Sequence, residues 1–111
     1  EKMGKVVIVP SIAGSMLPQH PVVLEIEPAT PEQLQAETKD TSAINYIRHP
    51  ATVSLLQQLL RLEQPATPEY KISPEDIIYV VSLSQRTEKS GQEVNVQSFS
   101  QLVIYRVRVR Q

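Results

Sequence analysis

Two short runs restrict what this chain can fold into. Lys5–Val9 (KVVIV) and Ile77–Leu83 (IIYVVSL) are almost continuously apolar and rich in β-branched residues. A strand with one wet face alternates polar and apolar side chains, whereas an unbroken run belongs in a sheet covered on both sides. Covering both sides takes a layered arrangement of helices and loops around the sheet. The predicted class is therefore α/β (α+β), one small domain with a mixed sheet of about five strands and flanking helices. The chain has 111 residues, 41% of them hydrophobic. That suffices for one core and for burying roughly two-thirds of the unfolded surface. Residues 1–111 are read as one domain, with Glu1 and Lys2 as additions ahead of a natural start at Met3.

Proline and small residues punctuate the rest. Pro10 has no N–H for a sheet ladder and ends the first run. Ser11 to Ser15 form a small-residue loop, and Pro21 to Glu27 (PVVLEIE) is a second strand candidate. Thr30-Pro-Glu-Gln33 has the form of a capping box and predicts a short helix to about Glu37. Lys39 to Ile47 reads as irregular or short extended chain. His49-Pro50 opens the main helix. Val53, Leu56 and Leu60 form its apolar ridge, with Leu55, Leu59 and Leu62 alongside and Gln57, Gln58 and Arg61 on the wet face. Its predicted end is near Gln64, before Pro65. Gln64 to Pro68 reads as a turn, and Ser84 to Val96 as a polar loop with hairpin character. Leu102 to Arg110 alternates clearly, with Val103, Tyr105, Val107 and Val109 on one face and Ile104, Arg106, Arg108 and Arg110 on the other.

Composition narrows the function. Net charge is −1, with 11 Lys+Arg against 12 Asp+Glu. Proteins that bind long nucleic acid draw affinity from a basic excess that this chain lacks. A small anion needs only a local basic group. With no cysteine, disulfides, thiolate metal sites and cysteine nucleophiles drop out. His20 and His49 are too few for a multi-histidine metal site in one chain, so no metal and no cofactor are expected. No apolar run reaches the roughly 18 residues of a membrane span. A cytoplasmic location without membrane association is the expectation.

Three places carry candidate chemistry. His49 adjoins the first turn of the main helix, where bare N–H groups and the helix dipole favour a phosphate. A histidine there can protonate a leaving oxygen; the plain alternative is an ordinary cap or surface histidine. Ser84-Gln85-Arg86 follows a buried strand, where ligands of α/β sheets commonly lie. Arg86 can grip a phosphate with two N–H groups and Gln85 can read a base or ribose edge; the alternative is a solvated loop. Ser11, Ile12, Ala13, Gly14 and Ser15 also follow a strand, but a single glycine does not make a phosphate-binding P-loop. The Arg106, Arg108 and Arg110 stripe reads more readily as a wet face guarding a sheet edge than as a nucleic-acid surface. The acidic residues form no paired constellation, and no G-x-S-x-G nucleophile elbow is present.

Three segments together resemble a known family: KVVIV-PSIAGSML (Lys5 to Leu17), IN-YIRHPATVSLLQQLL (Ile44 to Leu60) and VVSLSQRTE (Val80 to Glu88). Their order and spacing resemble the viral anti-CRISPR ring nucleases that act against type III CRISPR immunity, and their cellular relatives. The sharpest pieces are Ile44-Asn45-x-Ile47-x-His49-x-x-Thr52 and Ser84-Gln85-Arg86. The resemblance implies a homodimer that holds cyclic tetra-adenylate across its two-fold axis and cuts it without metal. The ligand's own 2′-hydroxyl is then the nucleophile, and linear products end in a 2′,3′-cyclic phosphate. It implies His49 as general acid and Arg86 as phosphate anchor. Ser11 to Ser15, Arg48, Thr52, Gln85 and Glu88 would contact the ligand. The cytoplasm would be that of the host if the source is a virus. The chain departs from the pattern at Pro10 and Ser15, where asparagines are usual, at Arg48, where glycine is common, and at Lys89, where an acidic residue is usual. A non-catalytic binder that sequesters the ring is the alternative those departures suggest. A nucleic-acid-binding interaction protein is the alternative the arginine stripe suggests.

Overall fold

The computed structural model describes residues 5–39, 41–65, 69–83 and 102–110. These form six strands and two α-helices: β1 Val6–Val9, β2 Val23–Ala29, α1 Pro31–Glu37, β3 Ala43–Asn45, α2 Pro50–Leu59, β4 Leu62–Glu63, β5 Ile77–Leu83 and β6 Leu102–Arg110, with a 3-10 turn at Gly14–Met16. The strands make one mixed sheet in the order β2-β6-β5-β1-β3-β4. The molecule is thus a small α+β domain, with one strand more than the five expected. The β5 and β6 runs sit where the sequence puts them. The first run loses only Lys5 from its strand.

β1 is the centre of the sheet. It pairs in parallel with β3 on one side and with β5 on the other. All four of its residues are buried, as an apolar run without alternation requires. Val6 and Ile8 join the core cluster that holds Leu34 of α1 and Leu55 and Leu56 of α2. Val7 and Val9 join a second cluster on the other face with Met16, Tyr70, Ile72 and Val107. Helices therefore cover one face, and the 3-10 turn and the 70–72 segment cover the other.

The capping box of α1 forms as its sequence predicts. Thr30 N–H donates to Gln33 Oε1 at 2.9 Å and Gln33 N–H to Thr30 Oγ1 at 3.1 Å, satisfying two otherwise orphan donors. α2 ends earlier than its apolar ridge suggests, at Leu59 rather than near Gln64. The sheet outcompetes the helix here. Leu60 is extended (φ −155°, ψ 171°), Ala43 N–H donates to the Arg61 carbonyl at 2.9 Å, and Ala43 and Ile44 pair with Leu62 and Glu63. The Ser42 hydroxyl also donates to Glu63. These pairings create β3 within the stretch read as irregular or short extended chain, and β4 where the pattern predicts continued helix.

β2 lies two residues beyond the Pro21–Glu27 expectation and pairs antiparallel with β6 over its whole length. Pro28 is tolerated because β2 is an edge strand, where a missing N–H need not break a ladder. The arginine stripe of β6 faces acidic partners. Arg106 donates to Glu27 and to Glu37 at 3.3 Å each, and Arg110 lies 3.7 Å from Glu25. Arg106 and Arg110 are thus answered within the chain, but β6 lies inside the sheet with β2 at its edge, so the stripe guards no edge and Arg106 is half-buried rather than wet. The predicted loop from Ser84 to Val96 and residues 66–68 of the predicted turn lie outside the described residues. Among the described residues, no helix is long and apolar enough to cross a membrane.

Two phenols are tied into the core by carboxylates. Tyr79 donates to Glu37 Oε1 at 2.7 Å and Tyr70 to Asp76 Oδ2 at 2.5 Å. Burial first, then these hydrogen bonds, hold both phenols above their ordinary ionisation range. The unfolded chain thus surrenders these protons first as pH rises. Their stabilisation is complete below about pH 10 and declines above it. Melting temperatures recorded from about pH 8 to pH 11 should fall in the upper part of that span. The fall should be shallower in the Tyr70→Phe, Tyr79→Phe double variant. An unchanged slope in that variant would contradict the assignment.

Candidate functional site

Strand direction decides where a site can form. β6 runs against β5 and β2, while β1, β3 and β5 run parallel. The C-terminal ends of β1, β3 and β5 therefore share one edge of the sheet. After β1 the chain crosses to β2 at one margin; after β3 it passes through α2 to β4 at the other. The two connections diverge and leave a crevice between the ends of β1 and β3. Open α/β sheets characteristically bind ligands at such a switch point.

A groove of about 950 Å³ occupies that position. Val9, Pro10, Ser11, Ala13 and Ser15 line it from the β1 side, and Asn45, Tyr46, Ile47 and Arg48 from the β3 side. α2 contributes Pro50, Val53, Ser54 and Gln57, and the chain after β4 adds Gln64, Glu69 and Tyr70. The volume lies toward the upper end of the usual range for small-molecule sites.

Local hydrogen bonds fix the loop that enters α2. Tyr46 N–H donates to the Ile8 carbonyl at 2.8 Å, extending the β1–β3 ladder by one residue. Asn45 then clamps Ile47 through both sides of its amide. Nδ2 donates to the Ile47 carbonyl and Oδ1 accepts from the Ile47 N–H, each at 3.0 Å. His49 is the N-cap, with the extended backbone (φ −66°, ψ 119°) demanded of a residue before proline. Its carbonyl accepts the Val53 N–H at 3.0 Å, while its side chain makes no capping bond. The imidazole is exposed, and the groove lining includes Arg48 and Pro50 on either side of it but not His49 itself.

The first loop is held from below. Lys71 Nζ donates to the Ser15 carbonyl at 3.1 Å, and Ile72 N–H to the Met16 carbonyl at 2.9 Å. Ser11, Ala13 and Ser15 are exposed in the groove. Ile12 instead packs against the second core cluster. Gly14 is exposed, and a Cβ added there would meet open space. Thr52 is buried at 3% exposure and does not line the groove. Its place is in the packing of α2. Gln85, Arg86, Glu88 and Lys89 lie outside the described residues, beyond Leu83 at the end of β5.

The structure thus brings the Ser11–Ser15 loop and Arg48 together at one groove, with His49 beside it. It adds Asn45, Tyr46, Ser54, Gln57 and Tyr70, which sequence reasoning gave no site role. Asn45 carried a signal, since Asn-x-Ile-x-His belongs to the sharpest resemblance segment. Among the described residues no group of three or more His, Cys, Asp or Glu gathers in a metal-holding cluster.

These features define a small α+β domain with a crevice at the open end of its parallel strands. No family model and no curated protein matches the chain. Among solved structures it is similar to B116 of Sulfolobus turreted icosahedral virus. That likeness has a TM-score of 0.67 and 24% identity, over 95% of this chain and 99% of that chain. At this identity the likeness is one of fold: the neighbour is a viral protein of nearly the same extent.

Two substitutions probe the loops without the ligand. Asn45→Ala strips both partners from the buried Ile47 amide and should cost about 1–3 kcal/mol in urea unfolding. Wild-type stability would show that the clamp contributes nothing. Gly14→Ala should leave stability unchanged or raise it by up to about 1 kcal/mol, and a marked loss would contradict the open space seen there.

Proposed function

We propose that the chain is a metal-independent ring nuclease that binds cyclic tetra-adenylate and cuts it, working as a homodimer. The observation that carries this reading is the groove at the β1–β3 switch point. Its lining includes Arg48 and Pro50 at the first turn of α2, on either side of an exposed imidazole with no cap bond. That turn offers bare amides and the positive dipole end to a phosphodiester. The segments around it resemble the anti-CRISPR ring nucleases apart from Pro10, Ser15 and Arg48, and a viral protein shares the fold.

In this reading a 2′-hydroxyl of the ring gives up its proton to solvent water and attacks the adjacent phosphorus. The P–O5′ bond breaks, a 2′,3′-cyclic phosphate forms, and His49 delivers a proton to the departing 5′-oxygen. Arg48 and Arg86 hold the phosphate oxygens, and charge stabilisation of this kind lowers the barrier most where water is excluded. In this reading His49, exposed beside the groove rather than lining it, meets the ring where the ring spans two protomers. A two-fold pair suits a ring of four identical units, since each protomer offers the same site once. A virus would use the activity to silence host defence, and a cell to switch its own response off.

A second reading, sequestration without cleavage, is favoured by one observation. Pro10 lines the groove and has no N–H to offer an oxyanion. Incubation with cyclic tetra-adenylate in EDTA separates the two. Linear fragments ending in 2′,3′-cyclic phosphate are expected, and His49→Ala should cut about 10²–10⁴-fold more slowly while still binding. Tight binding with an intact ring at excess protein would leave only the sequestering role. Unchanged turnover in His49→Ala would remove the acid from the mechanism.

A further inference from the structure

The chain that brings His49 to the groove is anchored at two points. At one end Asn45 pairs with Ile8 in the β1–β3 ladder, and the Tyr46 N–H reaches the Ile8 carbonyl. At the other, Pro50 opens α2 and confines His49 to extended backbone, and the His49 carbonyl accepts the Val53 N–H. Ile47 and Arg48 bridge the two anchors and belong to neither strand nor helix. Backbone groups in such a bridge must find partners outside ladder and helix. Asn45 supplies them for Ile47. Its carboxamide donates to the Ile47 carbonyl and accepts from the Ile47 N–H, each at 3.0 Å. The Ile47 side chain is buried in the core cluster with Leu55 and Leu56, so this residue is held by backbone and side chain alike. Arg48 and His49 are exposed. Burial does not fix them; the course of the backbone ahead of them does.

That course bears on chemistry. A general acid works only within hydrogen-bond reach of the oxygen it protonates, and a misplacement of about 1 Å can slow a reaction about 10²-fold. Asn45 lines the groove, yet its amide is engaged by the backbone of Ile47. We propose that Asn45 is a positioning residue: through Ile47 it holds the Arg48–His49 segment in the single course that sets acid and phosphate anchor side by side at the groove. The proposal rests on the ring-nuclease reading for what that segment does.

The test compares the wild type with Asn45→Ala, Asn45→Asp and Ile78→Val, all well below their unfolding transitions. Asn45→Asp keeps an acceptor for the Ile47 N–H but sets an oxygen against the Ile47 carbonyl. Ile78 is fully buried and does not line the groove, so Ile78→Val is a control for lost stability alone. In steady-state cleavage of cyclic tetra-adenylate, Asn45→Ala should lower kcat about 10²-fold with KM nearly unchanged. Asn45→Asp should fall between it and the wild type, and Ile78→Val should keep the wild-type kcat. NMR relaxation of the free, isotopically labelled chain gives a second readout. Backbone order parameters of Arg48 and His49 should drop from about 0.85 in the wild type to below about 0.6 in Asn45→Ala, with those of Val53 to Leu56 unchanged. Wild-type kcat in Asn45→Ala, an equal loss in Ile78→Val, or Arg48 and His49 amides as rigid as before overturns the positioning role while the ring-nuclease reading stands. If the wild type leaves the ring intact, the ring-nuclease reading falls, and the relaxation data alone decide whether Asn45 holds the segment.

Discussion

The structure depends on β1. Four consecutive residues, Val6–Val9, are buried, paired with β5 along their whole length and with β3 at Val7 and Ile8. No polar residue in that run can be turned to water, so helices must lie on one side and the 3-10 turn and 70–72 segment on the other. The parallel pairing with β3 and β5 follows from the same burial. It brings three strand ends to one edge and forces their outgoing chains apart. The groove results from this divergence and needs no specialised segment of its own.

The groove is built on ordered supports. Asn45 ties down the loop ahead of His49, and the Ser11–Ser15 loop is bonded to the 71–72 chain. A ligand meeting these walls finds groups already in place, which lowers the ordering cost of binding. The helix start, Arg48, the small-residue loop and Gln57 of α2 all contribute to the groove's walls. Two of the three β6 arginines, Arg106 and Arg110, are paired with Glu25, Glu27 and Glu37 within the chain.

Much of the framework is legible in the sequence because it rests on local rules. The unbroken runs locate β1 and β5, the alternation locates β6, and Thr30 with Gln33 announces α1. The misplaced elements are those decided by distant partners. Leu59, Leu60 and Leu62 prolong a helical pattern, yet Ala43 claims the Arg61 carbonyl and the chain turns into a strand. β3 has no pattern of its own and forms because β1 offers it an edge. For the site, Arg48 and the first loop are legible from helix-start and strand-end logic. Gln57 reads as a wet-face residue and is exposed, but nothing local shows that the groove runs along it. Thr52 reads as a contact from its place beside His49, whereas the helix turns it inward to 3% exposure.

The central claim is that the β1–β3 crevice receives a cyclic tetra-adenylate shared between two copies of the chain. Calorimetric titration with a 2′-O-methylated ring, which cannot attack itself, tests this most directly. The predicted result is saturation at one ring per two chains, with the complex sedimenting as a dimer. Saturation at one ring per chain on a monomer, or no heat of binding at all, would contradict it.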